Sequence, residues 1–510
     1  MKIHDLNTFS EILTLHAFEK PDEIWIHDLN TNEDYSFSKF NDLVNKTVSF
    51  LIDKNCSPGD NISVIINNRI EFLILFFASL RLGTRFNPFP FSLSSNNIAK
   101  YLDLIDPKIV FCQNQHYEEL KSYKPLLSYE VVNDQLEDSG YFNIIDDYDI
   151  YSGKDFSPID NNEIACIYYS SGTTGEAKGI AISHRNMISN ISSIVRGFKW
   201  ESGDCHFIFL PFGHTASINY SILPCMYAGA SIVICESFWK VRINIWEYIQ
   251  KYGVTYMEVV PSTLFIMVNM PYKNFSRRAI KHFKYIGCGS APLPLDVQEA
   301  INQKFDIKVG NLYGLSETGP THVDDPLEED WKPGSIGKAL DVNQVKIFND
   351  DGIEVENREI GEIGIKGENV FIGYYKNEKK YMETFKNEYF LTGDIGYKDD
   401  NDIFYFSDRK KDLIIKGGVN ISPAEIDEVL FAHPAVTEAA TIGVQDSYLG
   451  EIIKSYVVLK NNQNINPNVL KDYCLGIVGE FKCPNEIVFL NELPKGPSGK
   501  ILKRELREKG

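Results

Sequence analysis

The first 240 residues alternate short β-branched apolar runs with helical ones: ISVII at 62–66, a helical stretch from 70, KIVF at 108–111 and, later, SIVIC at 231–235. Runs that are apolar at successive positions describe strands covered on both faces, and the helices between them supply the covers. The pattern predicts an α/β fold with buried, largely parallel strands. IEFLILFFASL at 70–80 is the most apolar piece; at 11 residues between Arg69 and Arg81 it is too short to cross a bilayer and reads as a buried helix. From about 335 the texture changes to glycine-punctuated strands, as in GEIGIKGENVFIGYY, which predict a small barrel-like β subdomain. The charged cluster SDRKKDLIIKGG at 407–418 then marks a hinge, and the residues beyond it have their own periodicity. The helix that follows reads as a capping box, with Ser422 at the N-cap, Pro423 in the first turn and Glu425 at the third position.

One loop stands out, YYSSGTTGEAKGI at 168–180. Gly172, Gly175 and Gly179 tolerate positive φ and let a ligand approach the main chain, while Ser170, Ser171, Thr173 and Thr174 add hydroxyl donors and Lys178 a cation. Set after an apolar strand, such a loop suits phosphate. Its spacing departs from the Walker pattern, which disfavours a P-loop ATPase or kinase. Taken alone, a serine, threonine and glycine cluster is as often a plain surface turn.

Composition removes other classes. With 510 residues, 43% hydrophobic and 24% charged, the chain is long enough for several cores. A formal charge of −19 argues against a nucleic-acid surface. The nine cysteines contain no CxxC pair and the ten histidines no zinc spacing, so the cysteines read as reduced thiols of a cytoplasmic protein. No transmembrane segment, signal-like start or lipidation motif is expected.

Four further stretches, GCGSAPLP (287–294), NLYGLSET (311–318), YFLTGDIGY (389–397) and LPKGPSGKILKRE (493–505), occur in order with the glycine loop and with DRKKDLIIKGGVNISPAEIDEVL (408–430). Together they resemble the adenylate-forming (AMP-binding) superfamily of acyl-CoA synthetases, luciferases and peptide-synthetase adenylation domains. The resemblance covers nearly the whole chain. It implies a large N-terminal domain at 1–407, with two α/β sheet subdomains and a small β-barrel, a hinge at 408–411 and a small mobile α+β C-terminal domain at 412–510. It also implies ATP, Mg²⁺ and CoA, or the phosphopantetheine of an acyl carrier protein, as cofactors and partners of an acid–thiol ligase.

Carried over residue by residue, the resemblance gives the 170–178 loop to the β- and γ-phosphates. Glu317 becomes the Mg²⁺ ligand and Thr318 an α-phosphate contact. Tyr313, followed by Gly314, becomes the adenine-stacking aromatic, with Gly289, Ser290 and Ala291 as the floor of the adenine slot. Asp394 matches the ribose-hydroxyl acceptor and Arg409 its companion, while Gly417 and Gly418 match the pair that meets a pantetheine arm. Lys411 takes the hinge position. Lys500, framed by GPSGKI, is the catalytic cation, because a positioned ammonium stabilises the charge that builds on the α-phosphate as a carboxylate attacks. Its neighbours Lys503, Arg504 and Arg507 read as a solvated basic tail. His214 in LPFGHTAS falls where acyl- and aryl-CoA synthetases carry a histidine beside the carboxylate, and Val260, Ser262, Thr263 and Cys288 are expected as small, mostly apolar pocket walls suited to a fatty or similarly apolar acid. A carrier-protein loading enzyme is the alternative.

Overall fold

The computed structural model describes residues 3–133, 140–151, 159–171, 177–272, 274–446, 448–460, 463, 465–496 and 501–509. The first of two seven-stranded sheets runs in the order Val309–Leu312, Tyr285–Gly289, Tyr256–Val259, Cys205–Ile208, Ser231–Ile234, Ile24–Asp28, Glu33–Ser36, parallel except for the last pair. The second runs Gly373–Tyr374, Ala177–Ser183, Ile164–Ser171, Arg85–Pro88, Asn61–Ile65, Ile109–Gln113, Tyr129–Val132. It is parallel apart from the glycine-loop hairpin and the short strand Gly373–Tyr374 laid against it. These are the buried parallel strands that the apolar runs predict.

The helix Ile70–Leu82 is buried at every position except Arg81 and ends at Gly83, whose φ of 79° closes it in the left-handed region. Phe77 on this helix meets Trp25 and Phe40 edge-on, so the helix joins the edge of the first sheet to the core of the second. Each fully buried Phe of this kind contributes about 1.5–3 kcal/mol of transfer free energy. All nine cysteines are buried and unbridged.

A third, five-stranded antiparallel sheet is built from Asn343–Phe348, Gly361–Gly367, Phe385–Lys386, Tyr389–Lys398 and Phe404–Arg409. After Arg409 the chain leaves through the short turn Lys410–Asp412 and enters a separate C-terminal sheet made of Ile414–Lys416, Val419–Ile421, Val436–Asp446, Gly450–Leu459 and Glu486–Phe489. That sheet has its own apolar core against the helices Pro423–Ala432 and Pro467–Lys482. Phe431 of its first helix packs edge-on against Phe265 of the helix Pro261–Asn269, 5.7 Å between centroids.

Two local expectations are corrected here. Ser422 is the N-cap of Pro423–Ala432, but no capping box forms. The Ser422 hydroxyl donates to Asp408 Oδ2 (2.6 Å), the same oxygen accepts from Ala424 N (2.9 Å), and Glu425 is drawn away to Lys482 (2.7 Å). A charged carboxylate at a helix N-terminus is a stronger acceptor than a hydroxyl, so Asp408, from the strand before the turn, caps the helix. Nor is the basic tail wholly solvated. Lys503 is paired with Asp427 at 3.1 Å and Arg507 with Asp412 at 3.0 Å, which fastens the helix Lys503–Lys509 to the C-terminal module. Burial opposes the charge on Lys503, yet the carboxylates of Asp427 and Asp408 hold its pKa above the ordinary value.

Asp408→Ala should lower stability in urea melts by about 1–2 kcal/mol, the size of a lost charged cap. Ser422→Ala should cost under half of that, and equal costs would return the cap to Ser422.

Candidate active site

The hairpin Ile164–Ser171/Ala177–Ser183 pairs Ser170 with Lys178 and Ser171 with Ala177, so the glycine loop is the hairpin's tip. Gly172, Thr173, Thr174 and Gly175 lie outside the described residues, as does Lys500, and only the backbone of Ser170 and Ser171 is described. Gly179 sits in the strand without a positive φ. What requires glycine there is crowding, since a Cβ would stand 2.9 Å from Ile167 Cγ2 and 3.1 Å from Tyr375 Cβ. The short strand Gly373–Tyr374 lies beside this hairpin, and it brings Tyr374 over Lys178, whose Nζ is 5.8 Å from the ring centroid. The Tyr374 hydroxyl donates to Glu317 Oε1 at 3.2 Å. Lys178, Tyr374 and Glu317 thus form one row. Tyr374, unremarked in the sequence, stands in the repeat-like FIGYY run, where only the pairing with the glycine hairpin reveals its part.

Glu317 and Thr318 occupy the tight turn between Gly314–Leu315 and Gly319–Pro320. Gly314 permits the turn: a Cβ would stand 2.5 Å from Gly319 O. Burial raises the pKa of Glu317, while the Tyr374 hydroxyl, Arg409 and Lys178 pull it back. One half-buried carboxylate with a hydroxyl partner and two nearby cationic groups is a hard oxygen donor suited to magnesium held otherwise by phosphate and water, and no cluster of three metal-ligating side chains competes with it among the described residues. Thr318 is buried, and its hydroxyl donates to Gly319 O (2.8 Å) and accepts from Leu315 N (3.4 Å), so here it braces the turn. Asn369 completes the brace by donating to Thr318 O.

On the far side of the slot, Tyr313 donates its hydroxyl to Asp394 Oδ2 at 2.9 Å, and Arg409 Nε lies 3.5 Å from Asp394 Oδ1. The register places Asp394 opposite Arg409 on adjacent strands. Tyr313 and Asp394 are therefore one bonded unit, with the Tyr313 ring steadied edge-on by His322 at 5.3 Å. Gly289 ends its strand where a Cβ would stand 2.9 Å from Leu312 O, and Ser290 follows at φ 67°, a left-handed conformation that costs a non-glycine residue about 1–2 kcal/mol. Ala291, next along the chain, is half-buried.

His214 caps the short helix Thr215–Ser217, and Nδ1 accepts from Ala216 N at 3.3 Å, which puts the ring proton on Nε2. Gly213 before it is obligatory, because a Cβ would stand 2.4 Å from Phe89 O. A π-helical turn, Ile218–Ile222, follows directly; such turns recur at functional sites. From it Tyr220 donates to Tyr313 O at 3.0 Å.

The pocket walls need one correction. Cys288 is buried with Met257 and Val259 in the core behind the sheet, under the helices Ile245–Tyr252 and Leu295–Phe305. Side chains alternate along a strand, so Gly287, Gly289 and, on the neighbouring strand, Glu258 face the other way, toward Tyr220 and Tyr313. Val260 and Ser262 are half-buried and Thr263 buried at the start of the next helix. Glu258, which burial alone pushes up to about 8, went unmarked because periodicity counts the run YMEVV as apolar. In the C-terminal sheet, Gly417 (φ 58°) and Gly418 (φ 81°) form the two-residue turn between Ile414–Lys416 and Val419–Ile421, the geometry that favours a glycine pair.

A doubly layered α/β body, a glycine hairpin, a carboxylate turn and a tyrosine–aspartate–arginine unit around one slot define the adenylate-forming class of enzyme. The chain belongs to the AMP-binding enzyme family, which it matches over residues 13–375, with the family's C-terminal domain at 425–500. It is 34% identical to the sulfoacetate–CoA ligase of Cupriavidus necator over 344 residues, 67% of this chain and 66% of that one. It is 29% identical to 4-coumarate–CoA ligase 1 of Narcissus pseudonarcissus over 515 residues, 97% of this chain and 91% of that one. The o-succinylbenzoate CoA synthetase of Bacillus subtilis, solved with its acyl-adenylate intermediate, superposes with a TM-score of 0.86 at 26% identity, covering 97% of each chain. With these relatives the chain is an acid–thiol ligase.

Two outcomes test this geometry. Tyr313→Phe removes the hydroxyl that holds Asp394 and should raise KM for ATP about tenfold, the effect of one bond to a charged group, with kcat changed far less. The proton on Glu258 gives a pH signature. Its pKa of about 8 when folded exceeds the ordinary value of about 4.3 when unfolded, so the folded state keeps a proton the unfolded chain has lost. Stability should fall as pH rises between those values, by up to about 1.4 kcal/mol per unit, and level off above them. Denaturant melts of Glu258→Gln should lack this component.

Proposed function

We propose that the chain joins a carboxylic acid to ATP, releasing pyrophosphate, and passes the acyl group from the resulting adenylate to the thiol of CoA. The observation that carries this reading is the Tyr313–Asp394–Arg409 unit set across one slot from Glu317 and Lys178. Asp394 offers paired oxygens to a ribose diol, Arg409 adds charge beside the phosphates, and Lys178 with the loop amides receives the outer phosphates. Glu317 would hold magnesium, which neutralises phosphate charge when bound. His214, with its proton on Nε2, donates to the acid's carboxylate and orients one oxygen toward the α-phosphorus.

Lys500 supplies the cation that stabilises charge on the α-phosphate, a role supported by its GPSGKI frame. The hinge lies at 408–411, and rotation there exchanges Lys500 for the Gly417–Gly418 turn, so that one slot serves both half-reactions. The turn Lys410–Asp412, flanked by the cap from Asp408, is where such a rotation would be absorbed. CoA is favoured over a carrier protein because each relative named above acts with CoA.

Lys500→Ala should lower adenylation, read as acid-dependent pyrophosphate exchange, by roughly 10²- to 10³-fold, while thioester formation from supplied acyl-adenylate persists. Equal loss of both half-reactions would remove Lys500 from this role. With the unaltered protein, mass spectrometry should find acyl-CoA when CoA is present; adenylate that accumulates and ignores CoA would move the acceptor to a carrier protein.

A further inference from the structure

Glu258 is an acid in an unusual place. It lies on the strand Tyr256–Val259, opposite Gly287 of Tyr285–Gly289, and is almost wholly buried. Gly287 contributes no side chain, which leaves its place to the Tyr256 hydroxyl and Leu312, and Gly289, two residues on along the same face, leads to Ser290 and Ala291. Across from this face lies the π-helical turn Ile218–Ile222, which begins four residues after His214. Among the described residues, Glu258 Oε2, Tyr256 Oη and Ser221 Oγ are buried without a hydrogen-bond partner, as are Tyr285 Oη, Trp200 Nε1 and both ring nitrogens of His206, whose rings pack around Tyr256. A buried carboxyl oxygen without a partner is costly for a fold to keep, and such groups concentrate where a ligand completes them.

We propose that Glu258 recognises an amine on the acid, placed at the end remote from the carboxylate that is activated. The inference rests on the ligase reading, which sets the carboxylate beside His214 and directs the remainder of the acid along the π-helical turn toward Glu258. A protonated amine meets the deficit in full, because it brings the missing charge and several donors for Glu258, and Ser221 and Tyr256 can accept from the same nitrogen. A hydroxyl would return one hydrogen bond and leave the carboxyl uncharged. An alkyl or plain aryl group would leave all three atoms unpartnered, which is how a polar site rejects an apolar analogue. The substrate class that follows is an amino-substituted acid, such as an ω-amino or ring-amino acid, in place of the fatty acid that the small residues nearby suggest.

Acid-dependent ATP–pyrophosphate exchange with matched acids tests this: β-alanine against propionate and β-hydroxypropionate, γ-aminobutyrate against butyrate, and meta-aminobenzoate against benzoate. The unaltered protein should favour the amino member of at least one set by about 10²-fold or more in kcat/KM. In Glu258→Gln that ratio should fall to within a few-fold of one. Exchange that proceeds equally with amino and unsubstituted members overturns the inference and leaves the ligase reading intact. Preference for the hydroxy acid overturns the amine in favour of a neutral hydrogen bond. Exchange with no acid in any set, including unsubstituted ones, counts against the ligase reading itself. Because the first comparison uses the unaltered protein, a Gln variant that failed to fold would not shelter the proposal.

Discussion

The buried carboxylate of Asp394 ties the molecule together. It accepts from Tyr313, which follows the last strand of the first sheet, belongs itself to the third sheet, and pairs with Arg409, the last residue before the chain turns toward its C-terminal module. The contact thus joins the end of the first sheet to the third and reaches, through Arg409, the residue before the turn Lys410–Asp412. Pairing in a buried setting is worth little as net stability but fixes geometry strictly, since breaking it strands a charge. The slot is consequently defined by the same bonds that hold the sheets in relation to one another.

Much of this was legible in the sequence. Apolar runs mark the parallel strands and the buried helix at 70–82, and the ordered motifs mark Lys178, Tyr313, Glu317, Asp394 and Arg409, which the fold brings near one another. What escaped has physical causes. Strand alternation across two layers decides which of Gly287, Cys288 and Gly289 faces the ligand, and the sequence of the strand is apolar or small throughout, so the period is silent. Tyr374 reaches Glu317 through a pairing of strands nearly two hundred residues apart. The local capping pattern at Ser422 was overridden by Asp408, a competition no linear rule records.

The chemistry divides along the same lines as the contacts. The groups proposed to hold the nucleotide sit on strands and tight turns of the large body, where Gly314 and Ser290 keep the backbone in crowded or strained conformations. The lysine expected to assist the attack belongs to the C-terminal module, whose first helix meets the large body through the cap from Asp408, the pair Phe265 and Phe431, and Glu428 beside the Leu295 backbone.

The central claim is that the acid's carboxylate attacks the α-phosphorus of ATP within this slot. The most direct measurement follows a heavy-oxygen label in the carboxylate of an acid the protein turns over, with ATP, Mg²⁺ and CoA present. If the account is right, a labelled oxygen appears in AMP and none in phosphate or pyrophosphate. Label in inorganic phosphate, with ADP as the nucleotide product, would mean attack at the γ-phosphorus and would contradict it.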